Sequence, residues 1–426
     1  MNQAPVAANS ARRVLAASLI GTTIEFFDFY IYATAAVLVF PKLFFAAADP
    51  ASATLQSLAT FALAFFARPL GAALFGHFGD RRGRKATLVA ALMTMGPSTV
   101  AIGLLPGYAS IGIAAPILLA LFRFGQGLGL GGEWGGAVLL ATENAPPGKK
   151  AWYGMFPQMG APIGFLFSIT TFLVLGKTLT DQQFLSFGWR IPFVASALLV
   201  WVGMYVRLKL AETPDFMKIV EKNARVKVPF LDVFVKHTRA IILGTFSTVI
   251  TFLLFYLMTV FTLSWGTSTL HYTRNDFIIA QMIGITCFGI GVAITAILAD
   301  RYGRNNILLI TTACIFLFGL FCFPLFQADN WPSTLCFLVL GMFLMGLSHG
   351  TIGTALACIF PASVRYTGAS LAFTLAGVLG ASLTPAIATK LATNYGLSYV
   401  GYYVSFAATI SFLALLGARR AMNTEG

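Results

Sequence analysis

Apolar stretches of about 20 or more residues, each long enough to cross a hydrocarbon layer, follow one another along nearly the whole chain. Twelve of them predict membrane-spanning helices. In the first half these are Val14 to Phe40, Thr54 to Phe78, Ala86 to Leu105, Gly112 to Thr142, Trp152 to Gly176 and Trp189 to Val206. The second half gives Ala240 to Ser264, Asp276 to Leu298, Asn306 to Phe326, Pro332 to Cys358, Thr367 to Ala392 and Leu397 to Ala418. One long polar stretch, Arg207 to Arg239, interrupts the series. It predicts residues 1–206 as an N-terminal six-helix bundle, 207–239 as a cytoplasmic linker and 240–426 as a C-terminal six-helix bundle. Within the linker Thr213 is expected to cap a short helix beginning at Pro214, and Glu221, Lys222, Arg225 and Lys227 read as a solvated face.

Composition agrees with a bilayer protein. Hydrophobic residues make up 58% of the 426 and charged ones 10%, with a mean hydropathy of +0.81, which excludes an ordinary soluble domain. The 41 glycines suit helices that approach one another closely. A net charge of +13 is explained by placement rather than by nucleic acid: of 28 Lys and Arg residues, only Lys42, Lys177, Arg190, Arg274 and Lys390 fall on one side, and Arg68 and Arg123 lie within spans. All the others collect on the side of the chain ends. That asymmetry puts both termini in the cytoplasm. Ala33-Thr34-Ala35 resembles a signal-peptide cleavage site, but the apolar run is too long, and Glu25 and Asp28 interrupt it. Five cysteines, Cys287, Cys314, Cys322, Cys336 and Cys358, all fall in predicted spans without metal-ligand spacing and read as packing residues.

The chain is internally repeated. Gly76, Asp80, Arg81, Gly83, Arg84 and Lys85 form a polar turn, and Asp300, Arg301, Gly303 and Arg304 repeat its core 220 residues later. Gly127 matches Gly346 and Gly131 matches Gly350 at an offset of 219, so the fourth and tenth spans are counterparts. Such a duplicated apolar half is the mark of a transporter built around a midplane site. The turn predicts a latch between helices of one half, with Asp80 near the positive end of the third span and Gly83 permitting the reversal. Its bland alternative is charges that only set topology. Gly127, Gly129 and Gly132 spell a nucleotide-loop pattern, but no strand-turn-helix unit surrounds them. Gly127, Gly131 and Gly135 instead predict a stripe for close helix contact.

Charge inside the spans is confined to the first half: Glu25, Asp28, Arg68, Arg123 and Glu133. Each costs several kcal/mol in lipid and must face the bundle interior. Counting about 1.5 Å per residue places Glu25, Arg68 and Glu133 roughly 15 Å deep, with Asp28 and Arg123 nearer the bilayer middle. Three acids against two bases leave one carboxyl without a cation, which persists in a dry site by taking a proton. If Arg123 receives an anionic substrate, the acid it had neutralised takes up a proton, which is symport. A static ion network is the alternative. Asp28, then Glu25 and Glu133, are the proton-coupling candidates; Arg68 is their counter-ion. Arg123, Gln126, Tyr30 and Gln158 are the substrate-binding candidates, though Gln126 serves equally as a helix-helix contact and aromatics in spans are mostly packing. Pro162 is a kink in the fifth span, and His349, deep in the tenth, reads as packing or as a proton carrier.

These strings together resemble the major facilitator superfamily, and within it the metabolite:proton symporter family, from about Val14 to Ala418. The resemblance rests on Glu25-Phe26-Phe27-Asp28-Phe29-Tyr30, Ala67-Arg68-Pro69, the Gly76 to Lys85 turn, Arg123-Phe124-Gly125-Gln126-Gly127, and Gly131 to Gly136. Gly160-Ala161-Pro162, Trp189-Arg190, Glu212-Thr213-Pro214 and Arg365-Tyr366-Thr367-Gly368 extend it. It implies uptake of small organic acids or zwitterions driven by protons across a bacterial inner membrane. Cys358 and Ser363 stand where relatives commonly place glutamates, and Phe373-Thr374 where many have Tyr-Asn.

The expectation is therefore an all-α integral membrane protein of twelve transmembrane helices in two pseudo-symmetric six-helix bundles. It acts as a proton-coupled importer of a small carboxylated or zwitterionic metabolite, working by alternating access as a single chain. Neither a cofactor, a metal nor nucleic acid is implied. A proton-driven exporter and a non-transporting membrane sensor are the competing classes. An enzyme is excluded because no nucleophile with its base appears in the spans.

Overall fold

The computed structural model describes residues 10–45, 50–221 and 229–423, and among these there is no β-strand. Twelve helices have the length and apolarity to cross a membrane. They are α1 (Ala11–Leu38), α2 (Pro50–Arg82), α3 (Arg84–Leu104), α4 (Ala114–Glu143), α5 (Lys150–Thr178) and α6 (Asp181–Leu208). The second set is α7 (Thr238–Ser268), α8 (Arg274–Tyr302), α9 (Arg304–Phe321), α10 (Trp331–Ile359), α11 (Arg365–Tyr395) and α12 (Leu397–Asn423). Each predicted run becomes one span, α11 being broken at Ser382 and Leu383 into Arg365–Ala381 and Thr384–Tyr395. Phe66, Leu104, Leu198, Trp201, Phe321 and Phe406 are exposed on the outer surface, as a lipid-facing belt requires.

The packing repeats after six helices. α1 lies on α5, α2 on α4, and α3 on α6; α7 lies on α11, α8 on α10, and α9 on α12. The two bundles meet through α2 against α11 and through its counterpart, α8 against α5. The glycine stripe of α4 does the work the spacing predicts. A Cβ at Gly127 would sit 2.7 Å from the Ala64 Cα, and one at Gly131 would run into the Arg68 carbonyl, so only glycine admits α2 there. Gly76 does the same between bundles, where an added Cβ would lie 2.7 Å from the Thr367 Cα.

Several expectations need correction. α6 runs past Val206 to Leu208, which brings Arg207 into the bundle; it is buried rather than linker. Cys322 lies just beyond α9, and Cys314 and Cys336 are exposed rather than packed. The helix at Pro214 is present (Pro214–Glu221), but the Thr213 hydroxyl donates to Glu143 Oε2 at 2.5 Å. A second linker helix, Pro229–Lys236, has no precedent in the reading of the sequence. Lys222, Arg225 and Lys227 lie outside the described residues.

Candidate functional site

Between the bundles lies a small cavity. Its first-half wall comes from α1, α2 and α5 through Phe26, Phe29, Tyr30, Arg68 and Ala161. α7, α8, α10 and α11 supply the rest, including Thr251, Tyr256, Phe288, His349 and Phe373. Rings pack edge to face around it, with Tyr30 and Phe165 centroids 4.8 Å apart and Phe65 and Tyr256 5.6 Å apart. At one end Trp134 and Phe373 stack face to face at 3.5 Å, joining α4 to α11. Arg68 is the one Lys or Arg side chain in the lining.

Arg68 is held by aromatic faces, with Phe29 at 5.4 Å and Phe65 at 5.9 Å from the guanidinium carbon. Its acid partner is distant: Arg68 Nη2 lies 4.0 Å from Glu25 Oε1, the outer limit of an ion pair. Neither carboxylate oxygen of Glu25 has a hydrogen-bond donor among the described residues, although the side chain is fully buried. Glu133 is different. Arg207 donates to its Oε1, and Gly21 opens the space for this contact, since a Cβ there would lie 3.1 Å from that oxygen.

Asp28 has no cation in contact among the described residues. Thr99 donates to its Oδ2 at 2.8 Å and Ser196 donates to its Oδ1. Arg123 sits in a cage of rings, 4.0 Å from the Tyr32 centroid and 4.9 Å from those of Phe29 and Phe61. Its Nη1 donates to Gln126 Oε1 at 3.0 Å, and Gln126 Nε2 donates to Thr99 Oγ1 at 2.7 Å. A chain of three hydrogen bonds therefore connects Arg123 to Asp28.

Of the residues singled out in the sequence, Arg68, Tyr30 and His349 line the cavity, whereas Glu25, Asp28, Glu133, Arg123, Gln126 and Gln158 are not among its lining residues. Gln158 is engaged on both ends, accepting from Trp134 Nε1 at 2.8 Å and donating to the His349 carbonyl at 2.9 Å across the bundle interface. Counting Arg207, the buried first-half acids and bases are equal in number, so the expected numerical shortfall of cations does not hold. What is uneven is pairing. Thr99, Ser196 and Tyr32 were missed because hydroxyl residues are unremarkable in a span. The stripe Ser196, Gly203, Arg207 along α6 was the available signal.

The face carrying the chain ends is closed by the repeated turn. Asp80 accepts from the backbone N–H of Tyr366 at 3.2 Å and Thr367 at 3.0 Å, and from the Thr367 hydroxyl at 2.8 Å. A carboxylate at a helix N-terminus is stabilised by orphan N–H groups and the helix dipole. Asp300 repeats this on the opposite bundle, accepting from the N–H of Ala151 at 2.8 Å and Trp152 at 2.9 Å. Each Asp thus caps a helix of the other bundle, and the latch expected within one half crosses between halves. The carboxylate at the start of α3 is Glu212, which accepts from the N–H of Arg84 at 2.9 Å. Arg84 is buried, 3.1 Å from Asp80 and 3.4 Å from Glu143. Arg304 repeats it but meets Cys358 Sγ at 2.7 Å where the first copy has Glu143. Gly83 and Gly303 turn with φ of +112° and +87°. Arg81 and Arg301 are both exposed, and Arg301 lies over the Tyr302 ring.

Comparison with known proteins agrees with this architecture. A profile of the Major Facilitator Superfamily matches residues 18–385. The chain is 57% identical to the inner membrane metabolite transport protein YhjE of Escherichia coli, over 96% of this chain and 94% of that protein. It is 35% identical to the shikimate transporter of the same organism, over 95% and 94% respectively. Among solved structures, the proton:xylose symporter XylE bound to 6-bromo-6-deoxy-D-glucose superposes with a TM-score of 0.75 at 16% identity, covering 95% of this chain and 94% of that one. At that identity the likeness speaks for the fold alone. Profile, relatives and architecture agree that the chain belongs to the major facilitator superfamily: it is a multi-pass membrane transporter of metabolites and not an enzyme.

Proposed function

We propose that the protein imports a small carboxylated or zwitterionic metabolite together with protons across the bacterial inner membrane. Both chain ends then lie in the cytoplasm, a single chain suffices, and residues 1–206 and 240–426 move as two bundles joined by 207–239. The observation that carries the reading is the position of Arg68, which lines the cavity while Glu25, its acid neighbour, stands behind it 4.0 Å away without a hydrogen bond. A substrate carboxylate entering the cavity competes with Glu25 for the same guanidinium. Left without its cation in a dry site, Glu25 takes a proton, so anion and proton bind together.

This moves the anion-receiving role from Arg123 to Arg68, because the aromatic cage and Gln126 hold Arg123 away from the cavity. Asp28 remains a second proton carrier. Its partners, Thr99 and Ser196, are hydroxyls that can donate to a carboxylate or accept from a carboxylic acid. Arg123 responds to that change through Gln126. Glu133, paired with Arg207, serves to hold the bundle.

The names of the relatives support a polar metabolite, and the aromatic lining with one cation favours an anion carrying an apolar body. Uptake of a panel of organic acids into proteoliposomes, with and without an inward proton gradient, tests the proposal. Accumulation that follows the gradient supports it. Accumulation that survives collapse of both the proton gradient and the membrane potential contradicts proton coupling. Efflux driven by protons would favour an exporter, and the absence of any transport would favour a sensor.

A further inference from the structure

His349 lies in the middle of α10, and it lines the same cavity as Arg68 from the other bundle. It is 95% buried, since only 5% of its surface is exposed. Neither ring nitrogen has a hydrogen-bonding partner among the described residues. Burying an imidazole without partners costs free energy that native proteins seldom leave uncompensated. Nor is the ring there simply to pack: Phe288 lies against it, tilted at 5.5 Å, a contact that phenylalanine would make equally well. The backbone at this point is fixed, because Gln158 of α5 donates to the His349 carbonyl and is itself held by Trp134.

We propose that His349 is a substrate-recognition residue that reads a hydroxyl on the end of the substrate remote from its carboxylate. This rests on the reading of Arg68 as the carboxylate-binding group. A neutral imidazole offers a donor on one ring nitrogen and an acceptor on the other, and a hydroxyl can meet either, accepting from the N–H or donating to the bare nitrogen. The other polar side chains that the second bundle gives to the cavity are Thr251, already paired with Ser348 at 2.5 Å, and the Tyr256 hydroxyl. Between the two ends the lining is aromatic, which suits an apolar or cyclic body. The substrate class is therefore a small hydroxylated carboxylate with an alicyclic or aromatic ring. Because Arg68 belongs to one bundle and His349 to the other, a ligand that satisfies both ties the bundles together. A carboxylate lacking the hydroxyl engages one bundle only.

The test is direct binding to the purified full-length protein, read by calorimetry. The probes are cyclohexanecarboxylate and benzoate, their 3- and 4-hydroxy derivatives, and cyclohexanemethanol as the compound without a carboxylate. In the wild type at least one hydroxylated acid is expected to bind about 10-fold or more tightly than its parent acid, the scale of one buried hydrogen bond. His349→Phe and His349→Leu should reduce that ratio to near one, and His349→Gln, which keeps a donor and an acceptor, should retain most of it. The ratio within each folded variant is the readout, and the Phe and Leu variants differ enough in shape that one folding defect does not remove the test. A hydroxyl preference that survives in the Phe or Leu variant overturns the inference, as does its absence from the wild type while the parent acids bind. If cyclohexanemethanol binds as well as the acids, or no acid binds, the carboxylate reading of Arg68 fails as well.

Discussion

At the scale of single side chains, Arg207 decides whether Glu133 can be buried at all. Removing one partner of a buried pair leaves the other charge without compensation, so Arg207→Met should lower stability by about 3–5 kcal/mol. Adding Glu133→Gln should return most of that loss, measured as the melting temperature of the purified protein. Asp28 makes a separate prediction: Asp28→Asn should abolish gradient-driven accumulation in proteoliposomes while counterflow exchange continues, and accumulation at the wild-type level would remove Asp28 from the mechanism. The buried charges themselves were legible in the sequence, because an ionisable residue in an apolar run stands out. Their pairing was not. Arg207 falls one residue past an apolar run, where hydropathy reads a boundary but the helix simply continues. Thr99 and Ser196 carry no signal until α3 and α6 are known to face α1.

Among the helices, the informative feature is reciprocity, with Asp80 capping α11 and Asp300 capping α5. Charge-assisted hydrogen bonds to a helix N-terminus hold that face closed, so Asp80→Asn should speed amide hydrogen exchange at Tyr366 and Thr367 by about 10-fold or more. Asp300→Asn should do the same at Ala151 and Trp152 and leave the α11 amides alone. In the second copy Arg304 meets Cys358 Sγ, where Arg84 in the first meets Glu143. Cys358→Glu places a carboxylate beside Arg304 and should slow exchange at the start of α5; unaltered exchange would mean the thiol contact already serves as well. The repeat was readable from spacing, since Asp80 and Asp300 stand in matching turns. Which helix each carboxylate reaches was not readable, because it depends on how the bundles face each other, and sequence order points Asp80 to the adjacent α3.

Across the whole molecule, alternating access needs a site that both bundles share, and the cavity meets that need with Arg68 on one side and His349 on the other. The spans, the six-helix repeat and the family were legible because bilayer thickness imposes run length and duplication imposes matched strings. Cavity lining was only half legible: Arg68, Tyr30 and His349 are there, while Arg123 and Gln126 face inward within their own bundle, a distinction of helix rotation that charge and depth do not encode.

The central claim is that the substrate anion and Glu25 compete for Arg68, and substrate-induced proton uptake measures it most directly. An organic acid from the panel that binds is added to the purified protein in weakly buffered solution, and the pH change is followed against site occupancy. The account predicts proton uptake in proportion to bound ligand, lost in Glu25→Gln although the ligand still binds. Binding by the wild type without proton uptake, or uptake undiminished in Glu25→Gln, would contradict it.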